Sequence, residues 1–337
     1  MKDAPVPQGE RYESAISYQL LLASVISYLD LGGIPLDSAG YINLGDAVRS
    51  GKLNLVSAIE AARITSARGA RILAKDIGTM DLNNWQAKAI DNGEDQAVVF
   101  KHGNQVIVGF RGTHSAEEWI RNAEIDLADF KAADGQMLQA HKGFLHAING
   151  ADGKTGIGGE VEKEAARLLA NNADAQLYVT GHSLGGAMAL LYAMQTKQPF
   201  KGIYTYGQPR AGNEAFAEAA DHMLAGNYFR IVGAGDMVPH LPPQVPIPYK
   251  HAGTEEFIDR MGRVMQVAGK NASIDNIESI MNGIDHIDEL LIFHDPSFYA
   301  QPLQKNARRA LHTDRKPGAS FTGRVTTAGN SPAATRQ

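Results

Sequence analysis

Leu177-Tyr178-Val179-Thr180-Gly181-His182-Ser183-Leu184-Gly185-Gly186 decides how this chain is read. The β-prone residues Leu177 to Thr180 run into G-x-S-x-G, and Ala187 to Met194 continue as an apolar, helix-forming run. Strand, tight turn, helix is the setting in which that motif carries chemistry. The central Ser has to sit on a strained backbone for its Oγ to clear the end of the sheet. Gly181 and Gly185 leave the space, since a Cβ at either position would crowd the neighbouring strand and helix, and Gly186 adds room where the helix starts. The N–H of Leu184 then lies in the first helical turn, where backbone donors are unpaired and the dipole favours negative charge. Ser183 is therefore the candidate nucleophile, and Leu184 N–H is one half of a candidate oxyanion hole.

Working outward, a serine nucleophile needs a base, and the base needs a third group to fix its tautomer and balance its charge. In an α/β hydrolase the order along the chain is Ser, acid, His. Asp236 has the expected place, just after the strand read over Tyr228 to Val232, whereas Asp221 falls in a helix and Asp259 in a surface strand. His240, His251, His286 and His294 follow it. His286 lies mid-helix in Asp285-His286-Ile287-Asp288, where a solvated face explains it. His240 is only four residues from Asp236, and His251 precedes a strand, as a structural hydrogen-bond donor would. His294 ends a helix before Asp295-Pro296, where the chain must turn, and is the candidate base. The second oxyanion donor is sought at the end of another strand. Thr113, after Phe110-Arg111-Gly112, offers a backbone N–H and a hydroxyl, although spacing alone equally allows an ordinary turn residue.

Strands alternate with helices through the middle of the chain, which predicts an α/β fold with a largely parallel sheet and helices on both faces. Residues 14–31 read as a helix with an apolar stripe from Tyr18 to Leu29, buried against the sheet; its polar side holds no Lys or Arg, which speaks against a membrane-docking helix. Asn54 to Ala74 reads as a helix interrupted at Gly69, and Trp85 to Ile90 as a segment of undecided type. Ala97–Lys101 and Gln105–Gly109 read as paired strands joined by His102-Gly103-Asn104. The expected organisation is a helical N-terminal extension over 1–94, a catalytic domain over 95–303 and a flexible, disordered tail over 304–337.

The 337 residues are 44% hydrophobic and 20% charged, enough for one large core. Without Cys there is no disulfide and no thiolate chemistry. The net charge is −5, too small to suggest a nucleic-acid partner. Residues 303–337 hold seven Lys/Arg against Asp314, a net +6 that leaves −11 on the rest. The acidic body opposes binding to anionic lipid, while the basic tail favours it. Acidic residues stand where the basic start of a secretory signal is expected, and no run of 18 apolar residues predicts a membrane span; this fits a cytoplasmic protein or one exported without a signal. No metal or cofactor motif is read.

In combination these blocks resemble the class 3, fungal-type lipases of the α/β-hydrolase superfamily. Phe110-Arg111-Gly112-Thr113 with Trp119 resembles the oxyanion block, and His141-Lys142-Gly143-Phe144 a strand-end block. Gly181 to Gly186 resembles the nucleophile elbow, Tyr206-Gly207-Gln208-Pro209-Arg210 with Gly212-Asn213 the next strand end, and Asp236 to Pro243 the acid block. His294, Tyr299 and Leu303 match the spacing around the family's catalytic His. The resemblance spans about residues 95–303. It implies Ser183 as nucleophile, Asp236 and His294 as its partners, Thr113 and Leu184 as oxyanion donors, and no cofactor. It implies hydrolysis of lipid carboxylic esters, as a triacylglycerol lipase or a phospholipase A1, with transient contact with a lipid interface. A lipid acyltransferase and a catalytically silent binding protein are the alternatives. It also implies a lid over His114 to Ile120, here short and acidic, unlike the apolar lids of lipases that act on oil droplets.

Overall fold

Along each inner strand the side chains divide between two cores. Val106 and Val108 enter one core and Ile107 the other; Val179 and Tyr178 divide the same way, as the period of two of an extended chain requires. The computed structural model describes residues 12–113, 125–150, 155–266 and 291–313. In chain order its elements are α1 (Ser14–Ile26), β1 (Ile42–Asn43), α2 (Leu44–Arg49), α3 (Leu55–Ala61), α4 (Ala67–Gly78), β2 (Trp85–Asp91), β3 (Gln96–His102), β4 (Gln105–Phe110), β5 (Leu127–Lys131), β6 (Met137–His141), α5 (Lys142–Asn149), α6 (Gly158–Ala170), β7 (Gln176–His182), α7 (Leu184–Gln195), β8 (Phe200–Tyr206), β9 (Gly212–Asn213), α8 (Glu214–Met223), β10 (Tyr228–Gly233), β11 (Tyr249–Lys250), β12 (Thr254–Ile258), β13 (Val264–Gln266) and α9 (Pro296–Thr313).

Nine strands form the central sheet in the order β1-β2-β3-β4-β7-β8-β10-β12-β13. The run β4-β7-β8-β10-β12 is parallel, and antiparallel strands close both edges. Helices α5 to α8 cover one face and α1 to α4 with α9 the other, so the α/β architecture read from the sequence is the one found. Thr113, Ser183 and Asp236 all follow the carboxyl ends of parallel strands, β4, β7 and β10, where open α/β sheets place their ligand-contacting groups.

Helix α1 touches the sheet through β7 and the outer helices through α9 and α4. From Leu20 to Ile26 the helix is buried at every position, and a stretch covered on all sides is largely apolar: Leu20, Leu21, Leu22, Val25 and Ile26 are buried. Each such side chain contributes about 1.5–3 kcal/mol. Ser17, Ser24 and Ser27, polar residues among this apolar run, are buried as well. The hydroxyls of Ser24 and Ser27 bond back to the carbonyls of Leu21 and Ser24, both at 2.7 Å, and this competing bond accompanies the end of the helix at Ile26 instead of residue 31.

Several expectations shift in detail. The break in the second helical segment falls at residues 62–66, not at Gly69. Arg63 adopts φ 54°, a left-handed conformation that ends α3, and Ser66 caps α4 by accepting the Gly69 N–H at 3.1 Å. Trp85–Asp91 is a full strand paired with β3. The first 94 residues therefore supply two sheet strands as well as helices, and the boundary at 94 falls within one hairpin. The described chain also crosses the boundary at 303, because α9 runs through to Thr313. Leu303 and Ala307 recur at helical spacing and are buried, and the Gln304 amide donates to Tyr18 Oη at 2.8 Å. A small second sheet, β11-β9-β6-β5, has no counterpart in the sequence reading, because two of its strands hold only two residues each. Residues 1–11, the lid stretch 114–120 with Trp119, His286 and the tail beyond 313 lie outside the described residues. Among the described residues no helix is long and apolar enough to cross a membrane.

Candidate active site

Ser183 joins β7 to α7 with φ 59° and ψ −134°, a conformation that non-glycine residues adopt only where the surroundings over-determine it. Those surroundings are visible at the two motif glycines. A Cβ on Gly181 would lie 2.1 Å from the Gly185 carbonyl oxygen, and one on Gly185 would lie 2.2 Å from the Phe110 carbonyl oxygen. Backbone meets backbone at both places, so nothing can yield. The same contact lays the loop leading to Thr113 along the start of α7, where the Leu184 N–H is found. The Ser183 N–H donates to Tyr206 O at 2.9 Å, which pins the turn to the next strand.

Across the strand ends lies a buried acid–base pair. His294 Nδ1 is 2.9 Å from Asp236 Oδ2 and 3.1 Å from Oδ1. An ionised carboxylate only accepts, so Nδ1 carries the proton and Nε2 presents a lone pair. That Nε2 is buried and has no hydrogen-bond partner among the described residues. Asp236 Oδ1 also accepts the Val238 N–H at 2.9 Å, and Oδ2 accepts the Tyr299 hydroxyl. Burial alone would push the Asp236 carboxyl up, but the His294 imidazole, the Tyr299 hydroxyl and the Val238 N–H outweigh it and hold it below the usual carboxylate range. Tyr299, from the first turn of α9, accepts the Gly233 N–H at 3.1 Å, so one hydroxyl fixes both the acid and the strand end that carries it. Gly207 lies at φ 57° against this pair. A Cβ there would fall 2.7 Å from Asp236 Oδ2 and 2.8 Å from His294 Cε1.

The rival residues have other partners. Asp221 accepts the Gly253 N–H at 2.7 Å, and Asp259 binds Met261 N, Arg263 N and the Arg263 side chain. His251 donates from Nε2 to Pro239 O at 2.7 Å; burial and the nearby guanidinium groups of Arg230 and Arg210 push its pKa well below the ordinary value. His240 belongs to a 3-10 turn whose carbonyl accepts Arg210.

Sequence reasoning passed over His182. Its ring stacks on His294, with centroids 4.5 Å apart and planes at 29°. Nε2 is 2.8 Å from the His294 carbonyl oxygen, and Nδ1 is 3.1 Å from Tyr28 Oη. Burial first, and the proximity of His294 second, push its pKa down to about 3, so the ring is neutral at ordinary pH. As the variable residue of G-x-S-x-G it carries no signal of its own. Gly207 had one: it stands in Tyr206-Gly207-Gln208-Pro209-Arg210, read as a strand-end block without a role.

Residues 107–245 match the family model described as Lipase (class 3). A lipase of Rhizomucor miehei is 34% identical over 176 residues, covering 48% of this chain and 44% of that protein. Phospholipase A1-II 2 of Oryza sativa subsp. indica is 26% identical over 234 residues, covering 60% of this chain and 56% of that protein. The chain thus spans about half the length of these curated relatives. A solved fungal lipase superposes with a TM-score of 0.54 at 17% identity, covering 85% of this chain and 96% of that one, which establishes the shared fold.

Proposed function

We propose that this chain, which belongs to the class 3 lipase family through residues 107–245, hydrolyses carboxylic esters of lipids through an acyl-Ser183 intermediate. The observation that supports this most is the buried Nε2 of His294, without a hydrogen-bond partner among the described residues, on a ring oriented by Asp236, at the strand ends that also carry the strained Ser183.

In this reading Ser183 Oγ attacks the ester carbonyl carbon while His294 Nε2 takes its proton. The carbonyl oxygen becomes an oxyanion, for which the Leu184 N–H and the N–H and hydroxyl of Thr113 are the donors. Collapse breaks the bond to the alkoxy oxygen, and the proton on His294 passes to the departing alcohol. Water then attacks the acyl carbon and gives its proton to His294; a second collapse returns that proton to Ser183 Oγ and releases the carboxylic acid. Asp236 stays ionised throughout and balances the imidazolium. Triacylglycerol and phospholipid present the same reacting atoms, and relatives named for each activity match this chain, so the substrate class is lipid acyl esters met at a lipid surface.

The test is Ser183→Ala in the full chain, assayed on a p-nitrophenyl ester and then on a panel of triacylglycerols and phospholipids that reads which acyl position is released. We expect kcat to fall by about 10⁴-fold or more with the fold intact. Turnover that survives in a folded Ser183→Ala protein contradicts the proposal.

A further inference from the structure

The nucleophile turn, the loop that carries the base and the loop that carries Thr113 converge on two side chains without a reaction step of their own. His182 faces the base. A carbonyl oxygen only accepts, so the 2.8 Å contact with His294 O requires a proton on His182 Nε2. The neutral ring then leaves Nδ1 as an acceptor, and the Tyr28 hydroxyl lies 3.1 Å from it. The same hydroxyl lies 3.1 Å from the His182 carbonyl oxygen, so its single proton is shared, in a three-centre bond, between the ring and the backbone of the residue before Ser183. On its other side the Tyr28 oxygen accepts the backbone N–H of Gly112, the residue before Thr113. Gly112 fits closely: a Cβ there would lie 2.1 Å from Tyr28 Oη and 2.8 Å from His182 O. Tyr28 and His182 are both buried. Tyr28 comes from the turn that follows α1, 154 residues before His182.

We propose that His182 and Tyr28 are positioning residues that lock the base loop and the oxyanion loop onto the nucleophile turn as one hub. His182 holds the main chain of His294, which leaves the His294 ring free to rotate only about its own side-chain bonds, and Asp236 fixes those. Tyr28 keeps His182 in the tautomer that can donate to His294 and sets Gly112, and with it Thr113, against the elbow. Stacking supplies a second effect. When His294 takes the proton of Ser183, the ring beneath it is neutral and offers a π face to the new cation; a charged ring there would oppose the step. The N-terminal segment is by this account part of the site's support, although it lies outside the matched family segment.

The inference rests on Ser183 and His294 acting as proposed, so Ser183→Ala is measured beside it. The variants are Tyr28→Phe, which removes one hydroxyl, His182→Phe, which keeps a stacked ring without a donor, and His182→Gln, whose Nε2 restores a donor at similar reach. On a soluble p-nitrophenyl ester we expect kcat to fall about tenfold in Tyr28→Phe and about 100-fold in His182→Phe, the scale of a lost preorganising contact. KM should change by less than about twofold in both, and His182→Gln should recover most of the loss. A contact that only supported the fold would lower Tm without this split between kcat and KM and without rescue. Retention of wild-type kcat by Tyr28→Phe and His182→Phe, with Ser183→Ala inactive, overturns the hub. So does a His182→Gln protein as slow as His182→Phe. If His182→Phe does not fold, Tyr28→Phe and His182→Gln decide alone. If Ser183→Ala still turns over, it is the acyl-Ser183 reading that fails.

Discussion

The proposed nucleophile and the proposed base of this site are held by opposite means. Ser183 is fixed by exclusion: five consecutive residues, Gly181 to Gly185, place glycines where backbone atoms leave no room for a Cβ. His294 is fixed by hydrogen bonds from far along the chain, from Asp236, 58 residues earlier, and His182, 112 residues earlier, with Tyr299 bracing the acid. The elbow is a steric device written in one short stretch. The base loop is a polar network that exists only after the fold has formed. Added volume should break the first, and loss of single donors should break the second.

Gly185→Ala is the harshest test of the steric half. Its new methyl meets the Phe110 carbonyl oxygen at 2.2 Å and the Gly112 nitrogen at 2.9 Å. Overpacking against backbone costs about 3 kcal/mol or more, and it should push the proposed oxyanion loop away from Leu184. We expect a fall in Tm by thermal unfolding and a loss of at least tenfold in kcat/KM, about the scale of one displaced oxyanion donor. A stable, fully active Gly185→Ala protein would show that the elbow is not held by close packing.

Tyr299→Phe tests the polar half at constant volume. It strips one hydrogen bond from Asp236 and orphans the Gly233 N–H, a cost of about 1–3 kcal/mol. With fewer donors, the Asp236 carboxyl should rise from its depressed position, so the variant should also lose activity at higher pH than the wild type does as the medium is made acidic. A pH–rate profile checks the direction; an unchanged acid limb would mean that Tyr299 braces the strand and not the acid.

This contrast also explains what was legible in the sequence. The elbow, the strand ends before Thr113 and Asp236, and the two-faced sheet rest on local pattern, and local pattern is what a sequence displays. His294 was legible through its place before Asp295-Pro296. The proposed roles of Tyr28 and His182 were not, because each acts across more than a hundred residues and nothing nearby marks it; Tyr299 was marked by its spacing from His294, but the bond of its hydroxyl to Asp236, 63 residues earlier, was not. Gly69 was read as a helix break, yet it lies inside α4, and the break belongs to Arg63, whose side chain gives no warning of a left-handed backbone. The charges of residues 305–309 hid a helix that is held at Leu303, Gln304 and Ala307.

A smaller effect is expected away from both halves. Glu256, on β12 beside the sheet edge, is buried, and burial pushes its carboxyl up to about 7 from an ordinary value of 4.5. The folded chain keeps this proton where the unfolded chain has lost it. Stability from this group is therefore fully present below about pH 4.5 and declines as pH rises toward 7. Glu256→Gln should flatten Tm against pH in that window and leave kcat nearly unchanged. An unaltered slope would exclude Glu256 as its source.

The central claim is that Ser183 becomes a nucleophile because the Asp236–His294 pair activates it. It is tested most directly by the rate of labelling with a fluorophosphonate, located by mass spectrometry of the peptide containing residue 183. The account predicts one adduct, on Ser183, with labelling slowed by about 10³-fold or more in His294→Ala and in Asp236→Asn and kept near wild type in His240→Ala and His286→Ala. Labelling of another residue, or a His294→Ala protein that labels at the wild-type rate while His286→Ala does not, would contradict it.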